Sequence, residues 1–330
     1  MKRFGLSLLV AAVFAAFLSI SFTQAFAGQI KVAGVVFQED QFMKLVQLGY
    51  AQAAKDLGAE VNLANTNGDT AKEAELVNTY VAQNYDGIAI CPINQTTSVE
   101  VLKAADTEGV KVACSNLELD NAPFIVGGYT SNQYDLCVPS GKAARDFILK
   151  NMAGKKSIKV AALGAFSVLP QVTADRHNGF FDQIKDIPGV EMVAVQDAWL
   201  QDRAIEVVGG ILSAHPDLDI VYGFNDGSTI GAVMAIKNEG LEGECFVFGI
   251  DASEQVMGML RNPDNILQTV TGQDPYTMGY QTMEVLIKAI NGGDYSATKG
   301  KILFTEYIRI DRGDETKIQW FLDDLKSKMN

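Results

Sequence analysis

The sequence predicts an α/β protein made of two similar doubly wound lobes, each a Rossmann-like parallel sheet covered by helices. Three observations carry that expectation. Short, nearly unbroken apolar runs of strand type alternate with amphipathic helical stretches, the pattern of a parallel sheet buried on both faces. The alternation starts afresh near mid-chain, which gives two sets of βα units instead of one. At 330 residues the chain is also longer than a typical single domain.

The first set opens with Ile30 to Phe37 (IKVAGVVF) as a strand. A helix follows from about Phe42 to Gly58, with Leu45, Leu48, Ala51 and Leu57 on its buried side and Gly58 as its stop. Strand Glu60 to Ala64, helix Ala71 to Gln83, strand Gly87 to Cys91, helix Thr97 to Glu108 and strands Lys111 to Ser115 and Phe124 to Tyr129 complete it. The second set begins with helix Ser140 to Met152 and strand Ile158 to Gly164. Helix Thr173 to Ile184, strand Glu191 to Gln196 and helix Asp202 to Ala214 come next. Strand Ile220 to Phe224 then breaks at Asn225-Asp226-Gly227 and restarts as helix Ser228 to Gly240. A strand that ends in a polar break and a helix start is where an open α/β sheet presents polar groups to a ligand. Of this pair, Asn225 is the expected ligand contact and Asp226 the expected helix cap. Strand Cys245 to Ile250, helix Ser253 to Arg261, strand Ile266 to Thr271 and helix Tyr276 to Ile290 follow. A strand pair within Lys301 to Ile310 precedes a polar, helical C-terminus.

The first 27 residues read as a secretory signal peptide: a basic start at Lys2-Arg3, an apolar stretch from Leu8 to Ile20 and cleavage after Ala27 in Ala25-Phe26-Ala27. An exported protein is therefore expected. The net charge of −13 argues against nucleic acid, whose phosphates call for Lys and Arg. Cys91, Cys114, Cys137 and Cys245 form an even set that permits disulfides, Cys114 with Cys137 before any other, but they show no CxxC spacing. At strand ends, Cys91 and Cys114 read more simply as small buried hydrophobes. Catalysis and cofactors find little support. Gly-x-Ser-x-Gly, a GxxxxGK[ST] loop and HExxH are all absent from the sequence, and Gly127-Gly128 lacks the third glycine of a dinucleotide fingerprint. The two histidines stand in isolated contexts, so neither a metal nor any other cofactor is expected.

Several stretches carry a family resemblance: Ala53-Ala54-Lys55-Asp56-Leu57-Gly58, Asp86-Gly87-Ile88 with Pro92, Arg176-His177-Asn178-Gly179-Phe180 and Ala214-His215-Pro216-Asp217. Asn225-Asp226 with Gly231-Ala232, Phe248-Gly249-Ile250-Asp251 and Gln273-Asp274-Pro275 with Gly279 continue it. In this order the chain resembles the periplasmic sugar-binding proteins of ribose- and galactose-type ABC transporters, and the related effector domains of lactose-repressor-like regulators. The export signal, standing where a DNA-binding helix pair would be, disfavours the regulators.

The resemblance implies two lobes joined by three crossovers, near Thr130–Asn132, Asp274 and Thr305–Glu306, with the ligand in the cleft between them. The lobes would be residues 28–130 with 274–305 and residues 131–273 with 306–330. It also implies capture of a monosaccharide or sugar alcohol for a membrane permease, with no enzyme activity. The alternative is a receptor for a signalling molecule or nucleoside that feeds a chemoreceptor or sensor kinase.

A sugar site needs fork-shaped donors, carboxylate acceptors, amides and aromatic plates. Arg176 supplies a guanidinium for adjacent hydroxyls, its other use being an ion pair with Asp175 or Asp182. Asp251 ends an apolar strand and can accept from two hydroxyls or cap the next helix. Asn225 and Gln273 hold the matching strand-end and crossover positions. By resemblance, Asp40 fills an amide position, Phe42 and Trp199 are stacking plates, and Phe37 replaces a plate lost at Met43. The family's Asp-Arg pair after the fourth strand is here Asn116-Leu117. Asn116 can still hydrogen-bond and Leu117 cannot, which shifts the expected ligand from ribose toward a linear polyol, a deoxy sugar or another small hydroxylated molecule. An insertion at Tyr134 to Pro139 is expected to lengthen the first crossover.

Overall fold

The structure, a computed structural model, describes residues 29–329. The expected signal peptide, residues 1–27, lies outside the described residues. From the start the chain runs β1 (Lys31–Val36), α1 (Gln41–Asp56), β2 (Glu60–Asn65), α2 (Thr70–Ala82), β3 (Gly87–Ile90), α3 (Thr97–Thr107), β4 (Lys111–Ser115) and β5 (Gly127–Thr130). It continues through α4 (Gln133–Asn151), β6 (Ile158–Gly164), α5 (Pro170–Phe181), β7 (Val190–Asp197), α6 (Gln201–Ala214) and β8 (Ile220–Tyr222). Then come α7 (Asp226–Asn238), β9 (Phe246–Ile250), α8 (Glu254–Arg261), β10 (Leu267–Gln273) and α9 (Pro275–Ile290). The last elements are β11 (Leu303–Phe304), β12 (Tyr307–Asp311) and α10 (Glu315–Met329).

These strands form two six-stranded sheets, in the orders β11-β5-β4-β3-β1-β2 and β12-β10-β9-β8-β6-β7. The two orders are the same once β1 is matched to β6, which is the expected pair of doubly wound lobes. Every pairing is parallel except β12 on β10. Alternation along a strand sends successive side chains to opposite faces. Val32 and Val36 enter the core under α1 and α9, while Ala33 and Val35 enter the core on the other face. In the second lobe Ala161 and Leu163 face one core, and Val160 and Ala162 the other. The edge strands β2 and β7 are the most exposed of the long strands because each has a neighbour on one side only.

The backbone crosses between sheets three times: after β5, after β10, and between β11 and β12. Helix α4 leaves the first sheet and packs on β9, β10 and α5, while α9 leaves the second and packs on β3, β4, β5 and α1. Small residues allow the close approaches. A Cβ on Gly279 would lie 2.2 Å from the Val46 carbonyl oxygen, and one on Gly179 2.2 Å from that of Tyr134.

Three details differ from the sequence-based expectation. Residues Tyr134 to Pro139 are not an extended crossover but the first turns of α4, started by Asn132, whose side chain accepts from the Asp135 N–H at 3.0 Å. Pro139 lies inside the helix. The strands within Lys301 to Ile310 do not pair with each other, since β11 joins β5 in one sheet and β12 joins β10 in the other. Leu57 is 42% exposed because it caps α1 beyond the buried stripe. All four cysteines are free and buried, as the reading of Cys91 and Cys114 as small hydrophobes has it, and the disulfide that the even count permits is not formed. Cys114 lies within β4 of the first sheet and Cys137 packs against Tyr222 under the second, so the two belong to different cores.

Candidate functional site

A cavity of about 480 Å³ opens between the lobes. Its polar lining comes from the carboxyl ends of strands, where open α/β sheets hold ligands. Phe37 and Asp40 follow β1, Asn116 follows β4, Asn225 follows β8, Asp251 follows β9, and Gln273 ends β10. Phe42 lies in the first turn of α1, Arg176 on α5, and Trp199 in the turn before α6. All nine residues expected from the sequence therefore line one cavity, four from the first lobe and five from the second.

On the second lobe the polar groups are wired to each other. Asp251 has φ +71°, a left-handed conformation that Asp tolerates better than most residues, and its own N–H still donates to the Thr271 carbonyl at 2.9 Å. That turn aims the carboxylate at its neighbours. Gln273 Nε2 donates to Asp251 Oδ1 at 2.6 Å, and the Asp226 N–H donates to Oδ2 at 3.3 Å. Gln273 Oε1 is buried and has no partner. A buried amide oxygen without a donor is costly.

The helix cap falls on Asn225 and not on Asp226, and both residues line the cavity. Asn225 is the N-cap of α7: its Oδ1 accepts from the Ser228 N–H at 3.0 Å, and Ser228 Oγ accepts from the Asn225 N–H at 2.9 Å. Asp226 caps nothing on α7. Its Oδ1 accepts from Ser253 Oγ at 2.9 Å, and the residue lines the cavity. Burial, followed by the nearby Asp251 charge, pushes the Asp226 carboxyl up to about 6. Asp226 is thus a cavity residue that the sequence reading set aside. The physical reason is local: either of two adjacent short polar residues can cap a helix, and only the backbone phase decides which does.

Arg176 is buried, at 6% exposure. Its guanidinium bonds neither Asp175 nor Asp182. Instead Nε donates to Gln133 Oε1 and Nη1 to the Phe224 carbonyl, each at 2.8 Å, and the group sits 4.7 Å above the Phe224 ring. Gln133 is in turn fixed by Nε2 donation to the Ser131 carbonyl at 2.9 Å. The early start of α4 has a consequence here, because it brings Gln133 to the cleft and braces α5 under Arg176. Sequence reasoning passed over Gln133 because its segment read as a crossover.

The first-lobe wall is built differently. Asp40 is the N-cap of α1, with Oδ1 accepting from the Met43 N–H at 2.8 Å and Oδ2 from Gln38 Nε2 at 2.7 Å. Burial raises its pKa despite those donors, and the Asp251 charge across the cleft adds to the rise. Phe37 and Phe42 are half-buried, packing on the first-lobe core while also lining the cavity. Asn116 has φ +67°, and beyond it Leu117 is buried against Ala165, Val172 and Phe224 of the second lobe, with Leu169 and Trp199 at the margin. The lobes also touch at the rim, where the Glu254 N–H donates to Gln41 Oε1 at 3.1 Å. Among the described residues no group of three or more His, Cys, Asp or Glu side chains is placed to hold a metal ion. The cavity therefore offers carboxylates, amides, one guanidinium and aromatic and aliphatic faces, a set suited to a small molecule with several hydroxyls.

Residues 32–294 match the family described as periplasmic binding protein domain. The chain is 28% identical over 279 residues to an ABC transporter periplasmic-binding protein of Escherichia coli (strain K12), covering 83% of this chain and 84% of that one. It is 26% identical over 284 residues to a D-apiose import binding protein of Actinobacillus succinogenes, covering 86% and 88%. In fold it is similar to an ABC transporter periplasmic solute-binding protein from Actinobacillus succinogenes 130z, solved with bound D-allose. That superposition has a TM-score of 0.76 at 20% identity and covers 88% of this chain and 100% of the other. These relatives are named as binding proteins rather than enzymes. With its two matching lobes and a polar cavity between them, the chain belongs to the periplasmic binding protein family, the family of the sugar-binding proteins of ABC transporters.

Proposed function

We propose that this protein is an exported solute-binding component of an ABC importer, which captures a monosaccharide or sugar alcohol by hinge closure and delivers it to a membrane permease. The observation that carries the reading is the convergence of polar and aromatic residues from both lobes on one cavity. The relatives named for D-apiose import and solved with D-allose support a sugar as ligand. The lobes are residues 28–130 with 274–305 and 131–273 with 306–330, each holding one sheet together with the helix that returns to it.

Asp40, Phe42, Phe37 and Asn116 contact the ligand from the first lobe; Arg176, Trp199, Asn225, Asp251 and Gln273 contact it from the second. A ligand that bridges both walls binds the closed state better than the open one, and that difference drives closure. The closed form then presents the outer surfaces of both lobes to the permease.

A thermal-shift screen of the mature protein against pentoses, hexoses, alditols and nucleosides tests this. A ligand at 100 times its Kd stabilises the folded state by about 2.7 kcal/mol, so a true ligand shifts Tm by several degrees. Shifts confined to monosaccharides or alditols are the expected result. Shifts from nucleosides alone would replace the reading with a signalling or nucleoside receptor, and chemical turnover of a bound ligand would replace it with an enzyme.

A further inference from the structure

The cavity has two kinds of wall. Around Asp251, Asp226 and Gln273 it is polar and hydrogen-bonded. Around Leu117 it is apolar: Leu117, Ala165, Leu169, Val172, Phe224 and Trp199 form one cluster, and all six line the cavity. Leu117 comes from the first lobe and the other five from the second. Leu117 and Phe224 are nearly fully buried, at 4% and 3% exposure, and Ala165 is at 1%. At the margin of this cluster stand two polar groups: the Arg176 guanidinium, with Nε and Nη1 bonded to Gln133 and to the Phe224 carbonyl, and the indole N–H of Trp199.

A hydroxyl placed against the side chains of Leu117, Val172 and Phe224 would lose water and meet no donor or acceptor on them, which is unfavourable. A methyl group at the same place would gain contact area. Building on the sugar-binding reading above, we propose that the ligand is a deoxy sugar whose methyl terminus is seated in the Leu117–Val172–Phe224 cluster while its hydroxyls face Asp251, Asp226 and Gln273. Leu117 and Val172 are then specificity-determining residues: they select the deoxygenated end and contribute no hydrogen bond.

The test is calorimetric binding to the mature protein with matched pairs in both enantiomeric series: galactose against fucose, mannose against rhamnose, and glucose against 6-deoxyglucose. In at least one pair the deoxy member should bind about tenfold tighter or more, within the range over which an apolar pocket discriminates a small change. The same pair is then measured with Leu117→Asn and with Val172→Thr. Val172→Thr keeps the β-branched shape and adds one hydroxyl, a smaller change than Leu117→Asn, so it stays informative if Leu117→Asn fails to fold. Both variants should shrink the deoxy preference severalfold. If the cluster only seals the two lobes together, the variants change Tm and leave the ratio within pairs unchanged, and the proposal fails. It fails equally if the hydroxylated member of every binding pair binds as well as or better than its deoxy partner; sugar binding itself would then still stand. If no sugar or alditol binds at all, the underlying function is wrong and the proposal falls with it.

Discussion

Asn116 and Asp251 occupy the same place in the two lobes and do opposite chemistry there. Strands β4 and β9 hold equivalent positions in the two sheet orders. Each is followed by a residue in the left-handed region, at φ +67° for Asn116 and +71° for Asp251. Each such residue donates its N–H to the next strand of its sheet, Asn116 to Tyr129 at 3.0 Å and Asp251 to Thr271 at 2.9 Å. A little further on, Ser131 and Gln273 each precede the N-cap of a helix that crosses to the other lobe. The repeated backbone fixes where a side chain starts, while residue choice fixes what it offers. In the second lobe the pair is Asp-Ala with an acceptor network beside it; in the first it is Asn-Leu, and the Leu joins an apolar cluster. The cleft is therefore polarised, which orients a bound molecule as well as holding it.

The largest expected effect comes from removing the charged half of this pair. Asp251→Ala takes away a charge-assisted acceptor and strands Gln273 Nε2, so ligand binding should weaken by on the order of 2–3 kcal/mol. Asp251→Asn keeps a residue that tolerates positive φ and isolates the charge. Asn116→Ala removes one neutral amide and should cost no more than about 1.5 kcal/mol. Calorimetry with the best ligand from the screen decides the matter: equal losses at the two positions would mean that the cleft is not polarised.

How far these features could be read from the sequence follows from how local their causes are. The alternation of apolar runs and amphipathic helices is local, so both lobes and the strand-end positions of Asn116, Asn225 and Asp251 were legible. The cap of α7 falls on Asn225 where the sequence reading expects Asp226, because capping depends on a one-residue phase. The first turns of α4, and with them Gln133, were hidden because Pro139 reads as a break, while the packing of α4 on α5 and β10 carries the helix through it. The separation of β11 from β12 depends on pairing with β5 and β10, which lie far away in sequence. The same holds for the apolar cluster. Leu117 in isolation shows only a lost hydrogen bond; the second-lobe residues that receive it are brought there by the fold.

The matched helix pairs behind the two walls allow a second, smaller test. Gly49 and Gly279 let α1 meet α9, and Gly141 and Gly179 let α4 meet α5. A Cβ at Gly279 or Gly179 would fall 2.2 Å from a backbone oxygen, so Ala at either site should destabilise by about 1–3 kcal/mol, the usual cost of overpacking. The consequences for binding should differ. Gly179→Ala displaces α5, which carries Arg176, and so should also weaken the ligand. Gly209→Ala, on α6 with nothing within 4 Å of the new Cβ, is the counter-case and should stabilise by up to about 1 kcal/mol. Urea denaturation of the three variants, with and without ligand, separates packing from positioning.

A further effect is a pH dependence that belongs to the acidic wall. Asp226 is held up to about 6 by burial and by Asp251, against 3.8 for the free side chain. An acid whose pKa is raised by folding binds its proton more tightly in the folded state, so between pH 4 and pH 6 the folded protein carries more proton at this site than the unfolded chain. Stability from Asp226 is therefore greatest at the acid end of that window and falls as pH rises through it. Asp40 is raised for the same leading reason and adds in the same direction, while the exposed Asp182, Asp186 and Asp217, whose pKa values are lowered, act below pH 4 with the opposite sign. Asp226→Asn keeps an acceptor for Ser253 and cannot titrate. Subtracting its ligand-free urea midpoints from those of the parent between pH 4 and pH 7 should give a difference that declines with pH and levels off above 6. A flat difference would show that Asp226 is not desolvated by the cleft, and would leave Asp251 as the one second-lobe carboxylate that shapes its acidic side.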